Sequence, residues 1–207
     1  MFQVHAQNIG EDLTKMSEAY NKVNTISMEV SYAVFFDGSD LPNEKEVGVI
    51  KKEKNKIYNN EFSGETLIND KYEINVDHEN KFIMVNKARE NHFFSPVTKI
   101  NTDTLLKHFD DVKYIGLKKN LKSYSLFYKS GQTSVVDIWL NAKTGFLEKI
   151  KITYRGKMEV EEDKFSKVIA VISYNNIQSN ISFPKDTFSE KKYISISNKK
   201  VLLAPKY

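Results

Sequence analysis

Alternation of apolar and polar side chains, repeated in segment after segment, most constrains what this chain can fold into. Met28, Val30, Tyr32, Val34 and Phe36 fall on one parity; Glu29, Ser31, Ala33 and Phe35 fall on the other. Successive side chains of a strand point to opposite faces, so this stretch reads as a long half-buried strand. Asp37-Gly38-Ser39-Asp40 and Pro42-Asn43 turn the chain after it. Shorter strands are predicted at Glu46 to Lys52, Lys56 to Phe62, Glu65 to Ile68, Tyr72 to Val76 and Phe82 to Val85. Asn69-Asp70-Lys71 makes a hairpin of two of them. The pattern resumes at Leu121 to Lys129, Thr133 to Leu140 and Phe146 to Tyr154, joined by Ser130-Gly131-Gln132 and by Asn141 to Gly145. Phe165 to Tyr174 is apolar on both parities through Val168 to Ile172, which predicts a central strand. Arg155 to Asp163 reads as a charged loop, and Tyr193 to Ser197 with Val201 to Leu203 as a last hairpin. Connections this short join antiparallel neighbours.

Two segments break the strand period. Ile9, Leu13, Met16, Ala19, Tyr20 and Val23 recur at helical spacing, after a capping Asn8 and with Glu11 and Asp12 in the first turn. That amphipathic helix must lie on something apolar. Thr102 caps a second predicted helix, Asp103 to Val112, which carries Leu105, Leu106 and Phe109 on one side. A helix inserted within a meander of strands is a candidate lid. The expected architecture is mainly β: about ten to eleven antiparallel strands with two or three helices.

Composition narrows the function. The 207 residues suit one large domain, and 40% hydrophobic with 28% charged residues are ordinary globular values. The absence of Cys removes disulfides, thiol nucleophiles, Cys-ligated zinc and a lipid-modified N-terminal Cys. The net charge of +4 comes almost wholly from Lys, with Arg only at Arg89 and Arg155, and Lys and Glu are interspersed. Nucleic-acid readers favour Arg for bidentate contacts, so no nucleic-acid partner is expected. No apolar run reaches the length of a membrane-spanning helix. Val4-His5-Ala6 before Gln7 looks like a signal-peptidase site, so residues 1–6 are expected to be a residual signal tail and 7–207 one domain.

Catalytic patterns are missing. There is no nucleophile elbow, phosphate loop or dinucleotide fingerprint. His5, His78, His92 and His108 have no second His at ligand spacing, and His108 with Asp110 and Asp111 reads as a polar helix end. The expectation is a binding protein, not an enzyme, without cofactor or metal. The surplus is apolar: helices covering a sheet either fill a core or leave a cavity for an apolar ligand, and composition leaves both open.

Five motifs in order resemble the LolA-type lipoprotein carriers and their superfamily over residues 11 to 188. The amphipathic helix feeds a long strand through Val23-Asn24-Thr25-Ile26-Ser27-Met28. Gly48-Val49-Ile50-Lys51-Lys52 and Leu67-Ile68-Asn69-Asp70-Lys71-Tyr72 follow. Trp139-Leu140-Asn141-Ala142-Lys143-Thr144-Gly145-Phe146-Leu147 is similar to the family's W-x-D-P-K-T-G-L-P segment, with Asn141 for its Asp and Ala142 for its Pro. Tyr174 to Phe188 resembles its last motif. The family's early-strand Arg, which ties sheet to lid, has no counterpart here, and residues 189 to 207 form an extension.

The resemblance implies a curved antiparallel half-barrel with helices over its concave face. It also implies a soluble periplasmic carrier that shields a lipid or lipoprotein acyl chain for transfer towards the outer membrane, between membrane-protein donor and acceptor and without stable membrane insertion. Its lipid-binding lining would be Val30, Tyr32, Val34, Tyr72, Ile74, Ile138 and Leu140. Its lid would be Leu13, Met16, Tyr20, Leu105, Leu106 and Phe109. Each of these could equally be ordinary core. The alternative function is an envelope interaction module, a sensor or secretion-accessory protein, with a filled core.

Overall fold

The computed structural model describes residues 9–61, 64–88, 108–197 and 200–204. The helix α1 (Ile9–Lys22) comes first, then β1 (Thr25–Phe36), β2 (Glu44–Glu53), β3 (Lys56–Glu61), β4 (Gly64–Ile68), β5 (Tyr72–Asp77) and β6 (Phe82–Lys87). After them come β7 (Asp111–Lys118), β8 (Leu121–Phe127), β9 (Thr133–Asn141), β10 (Leu147–Tyr154), β11 (Met158–Glu161), β12 (Lys164–Ser166) and β13 (Val168–Ser179). A single 3₁₀ turn, Glu190–Lys192, precedes β14 (Ile194–Ser197) and β15 (Lys200–Leu203).

Eleven strands form one open sheet in the order β6-β5-β4-β3-β2-β1-β13-β10-β9-β8-β7, with β6 and β7 at its edges. The mainly β class and the strand number are as the sequence led one to expect. Neighbours pair antiparallel in β2 to β6 and again in β7 to β10 and β13. At the centre, Asp37 N–H donates to Lys167 O at one end of β1, and Asn180 N–H to Thr25 O at the other. Start meets end at both places, so β1 and β13 are antiparallel too. Central placement suits the apolar run of β13.

Three expectations are corrected. Among the described residues there is one α-helix, not two or three. Of the second predicted helix, residues 103–107 lie outside the described residues, and Asp111 and Val112 belong to β7. From Asp111 onward the described chain is a strand, and the period of its side chains is two. The predicted loop 155–163 contains β11, which pairs with β12 in a small hairpin of its own. Its solvated acidic residues hide the alternation of Met158 and Val160. No described helix is long and apolar enough to cross a membrane.

The chain forms two compact units. The first takes α1, β1 from Ser31, β7 to β12 and β13 up to Asn175. The second takes β1 up to Val30, β2 from Val47, β3 to β6, β13 from Asn176 and the C-terminal segment. In the second unit Leu67, Ile74 and Val76 pack with Phe188, Tyr193 and Ile194 into a closed core. Asn69 ties that core together. Its Oδ1 accepts from the N–H groups of Lys71 and Tyr72, while its Nδ2 donates to Phe188 O and Glu190 Oε2. Tyr193 adds a 2.6 Å hydrogen bond from its hydroxyl to Glu65.

In the first unit the β9–β10 turn touches the helix. Asn141 Oδ1 accepts from the N–H groups of Lys143 and Thr144, and Asn141 Nδ2 donates to Glu148 at 2.6 Å. The turn ends at Gly145, with φ of +78°. A Cβ there would lie 3.2 Å from Ala19 Cβ and 3.4 Å from Lys15 O of α1. Glycine is required twice over, for its dihedral and for the close approach. Gly131, at φ +87°, has nothing within 4 Å of its would-be Cβ. Gly145→Ala is therefore expected to cost about 1–3 kcal/mol in urea denaturation, and Gly131→Ala clearly less. Equal losses would show that the helix contact contributes nothing.

Candidate functional site

The first unit presents two chemically different sheet faces. Residues opposite one another in an antiparallel pair share a face. On one face lie Tyr124 opposite Ile138, Lys122 opposite Leu140, Leu126 opposite Val136, and Val112 opposite Leu126. Ile150 and Ile152 of β10 continue it beside Ile138 and Val136. The other face carries Ser123, Ser125, Asp137, Trp139, Lys149 and Lys151. There the Ser125 hydroxyl donates to Asp137, Lys151 sits 3.9 Å from Asp137, and the Lys149 ammonium lies 5.0 Å from the Trp139 ring centroid.

Helix α1 lies on the apolar face and is held by polar contacts at its N-terminal end. Asp12 is only 6% exposed, and its carboxylate accepts from Lys122 Nζ at 2.9 Å on both oxygens and from the Tyr124 hydroxyl at 2.6 Å. Burial alone would raise the Asp12 pKa, but the Tyr124 and Lys122 hydrogen bonds and the Lys122 and Lys15 charges outweigh it and hold the carboxyl below its ordinary value. Tyr124 moves the other way: burial, the bond to Asp12 and the Asp12 charge all raise it. At the far end of the helix Tyr20 is tilted against Phe146 at 5.0 Å between centroids. Burial raises its pKa, and its hydroxyl is bonded to the Leu147 backbone.

The residues singled out as lid and lining are distributed as follows. Leu13, Met16 and Tyr20 are all buried on the sheet side of α1. Phe109 is half-buried, its ring edge-on to Tyr128 at 4.6 Å. Leu105 and Leu106 lie outside the described residues. Ile138 and Leu140 sit on the helix-side face and are buried, as is Val34. Tyr32 is half-buried, and burial followed by the nearby Tyr154, Glu44 and Glu46 raises its pKa. Val30, Tyr72 and Ile74 belong to the second unit, where Ile74 is a fully covered member of the core and Tyr72 packs against it. The seven lining residues are thus divided between the two units.

Asp12, Lys122 and Tyr124 were not foreseen, although the sequence carried a signal. Asp12 precedes Met16 by four residues and so falls on the apolar stripe of the helix. Lys122 shares its parity with Tyr124 and Leu126. A charged residue in phase with a buried face needs a buried partner. Lys122 thus places a cation on this sheet in contact with the helix.

No protein-family profile matches the chain, and no curated protein matches it in sequence. Solved structures do match it in fold. An uncharacterised conserved protein from Thermus thermophilus aligns over 88% of this chain and 93% of its own, at 9% identity and a TM-score of 0.51. A LolA superfamily protein from Nitrosomonas europaea aligns over 90% of this chain and 98% of its own, at 10% identity and a TM-score of 0.36. MucB, in its complex with MucA from Pseudomonas aeruginosa, aligns over 94% of this chain but 62% of that one, at 8% identity and a TM-score of 0.47. A LolA superfamily structure is thus among those matched in fold. Likenesses of this size concern the backbone alone.

The buried carboxylate sets a pH dependence. Asp12 has a lower pKa folded than unfolded, so the unfolded chain binds the extra proton and stability is lost as pH falls through the folded value, below 3.8. Acid denaturation of the protein is expected to steepen below about pH 4, the ordinary carboxylate range, and Asp12→Asn to flatten that limb. At neutral pH Asp12→Ala, which strands Lys122, is expected to cost about 3–5 kcal/mol, and Tyr124→Phe about 1–3 kcal/mol. An Asp12→Ala loss below about 1 kcal/mol, the size of a surface pair, would show that the helix does not depend on this contact.

Proposed function

We propose that the chain binds an acyl chain of a lipid or lipoprotein on the helix-side face of the first unit's sheet, and acts without catalysis. The observation that carries this reading is the extent of that face. Leu13, Met16 and Tyr20 of α1 are buried, yet the apolar surface runs on through Val112, Val136, Ile150 and Ile152, all half-buried. The opposite face bears Lys, Ser and Asp. Each acyl CH₂ moved onto such a surface contributes about 0.8 kcal/mol. The ordered motifs shared with the LolA-type carriers support the same ligand class. They extend the proposal to a carrier of the periplasm, serving outer-membrane biogenesis between membrane-bound donor and acceptor proteins.

The anchored helix shapes the mechanism. A carrier must open to release its cargo. With Asp12 fixed to Lys122 and Tyr124, α1 is a fixed wall, and ligand enters past the half-buried residues beyond it. A second reading, an envelope interaction module with a filled core, draws on the second unit, where Phe183, Phe188, Tyr193 and Ile194 close the apolar cluster.

The test is native mass spectrometry of protein exported to a bacterial periplasm and purified without detergent. The expected result is a mass excess of lipid size that organic extraction removes. Tyr32→Glu and Val136→Glu, both at half-buried positions, are expected to abolish it while circular dichroism stays unchanged. A clean apo mass, with no uptake of added fluorescent fatty acid or phospholipid, would overturn the carrier reading in favour of the interaction module.

A further inference from the structure

At the β7–β8 end of the first unit, an open groove of about 400 Å³ is lined by Ile115, Leu117, Leu121 and Trp139 together with Lys118 and Lys119. Ile115 and Leu117, either side of Gly116 on the edge strand, are 61% and 58% exposed, which is costly for neighbouring aliphatic side chains. No acidic residue lines the groove, and Lys149, over the Trp139 ring, adds a further cation. Lys119 and Asn120 both have positive φ, at 49° and 66°, so the groove sits beside a tight two-residue hairpin turn. The turn is tied to its neighbour, the Ala142 N–H donating to Asn120 O at 2.8 Å.

We propose that this hairpin end docks on an anionic lipid bilayer surface: Ile115 and Leu117 enter the interface, Trp139 sits at headgroup level, and Lys118 and Lys119 meet lipid phosphates. Aliphatic tips, an indole and flanking lysines form the side-chain set that partitions to such a surface. The other occupant of an edge strand is an extended peptide that adds to the sheet. The geometry of β7 opposes it. The register shifts between Tyr114 and Gly116, leaving Ile115 as an extra residue, and Gly116 has φ of +148°. A bulge there breaks the row of backbone groups that an added strand would use. The docking surface holds whether or not the chain carries a lipid.

Trp139 is the chain's single Trp and so reports on this site directly. Full-length protein is mixed with sedimentable vesicles of phosphatidylglycerol and phosphatidylethanolamine, or of phosphatidylcholine alone. Co-sedimentation and a blue shift of Trp139 emission are expected with the anionic vesicles only, with release in about 1 M salt, where charge attraction is screened within ~3 Å. Ile115→Ser with Leu117→Ser should weaken partition by about tenfold or more. Both side chains are exposed, so the fold, read by circular dichroism, should be kept. Lys118→Glu with Lys119→Asp, the Asp tolerated at positive φ, should abolish the anionic preference. Protein that merely extracts a lipid stays in the supernatant, so sedimentation separates docking from cargo binding. Failure of the wild type to sediment with anionic vesicles would overturn the proposal, as would equal sedimentation of both double variants. So would a Trp139 response to an acidic extended peptide without one to vesicles, which would assign the edge to a strand partner.

Discussion

The first unit depends on a carboxylate placed where a methyl group would be expected. Apolar contacts are non-directional, so the stripe of Ile9, Leu13, Met16 and Tyr20 could slide or rotate along a β-surface at little cost. Asp12 removes that freedom, because its two oxygens satisfy Lys122 and Tyr124 in one helix position only. Moving the helix by one residue would leave a buried charge without a partner on both elements, a penalty larger than most single apolar contacts. The net stabilisation from such a pair is small once desolvation is counted, and its main effect is to set register. The close approach at Gly145 depends on it: a helix free to shift would not need a glycine 3.2 Å from Ala19.

Asparagine does a related job in both units. At Asn141 and Asn69 the carbonyl end accepts two backbone N–H groups of the turn, and the amide end donates to something beyond it. An Asp could do the first and not the second, since a carboxylate has no donor. At Asn141 it would also face Glu148 with like charge. An Asn rather than an Asp at the head of this turn is thus accounted for by its neighbour on β10. At Asn69 the same double use fastens the C-terminal segment over the second unit's core.

Much of this architecture was legible, for a physical reason. A strand with one wet face writes its burial into alternate residues, and β1, β5, β8 and β9 were read that way to within a few positions. The reading failed where that imprint is weak. In β7 both parities of an edge strand are partly exposed, so the apolar Leu105, Leu106 and Phe109 upstream dominated the pattern. In β11 and β12, Glu159, Glu161, Glu162 and Asp163 concealed a hairpin held by backbone bonds, not by burial. The site was less legible than the fold. Asp12 and Lys122 are 110 residues apart, and their pairing follows from strand order, which local pattern does not contain. Alternation marks Ile74, Ile138 and Leu140 as apolar on one face. It cannot tell whether a neighbour or a ligand covers them.

That last distinction turns on what each face must do besides fold. A face that only packs needs apolar residues alone, and the second unit's cluster is of this kind. In the first unit the helix side combines a fixed wall with half-buried aliphatics. The opposite side, which core packing does not constrain, keeps its one Trp under a lysine, and on the edge strand at that end Ile115 and Leu117 are exposed, with Leu117 opposite Lys122 of the helix side. Neither arrangement is the least costly way to finish a sheet: the first leaves aliphatic area incompletely covered, and the second places it in water. Both costs recur in the folded protein at every moment it stands alone, and both are removed by an apolar partner. The groove at the β7–β8 end shares no lining residue with the half-buried stretch of Val112, Val136, Ile150 and Ile152, so cargo binding and membrane docking would not compete for the same residues.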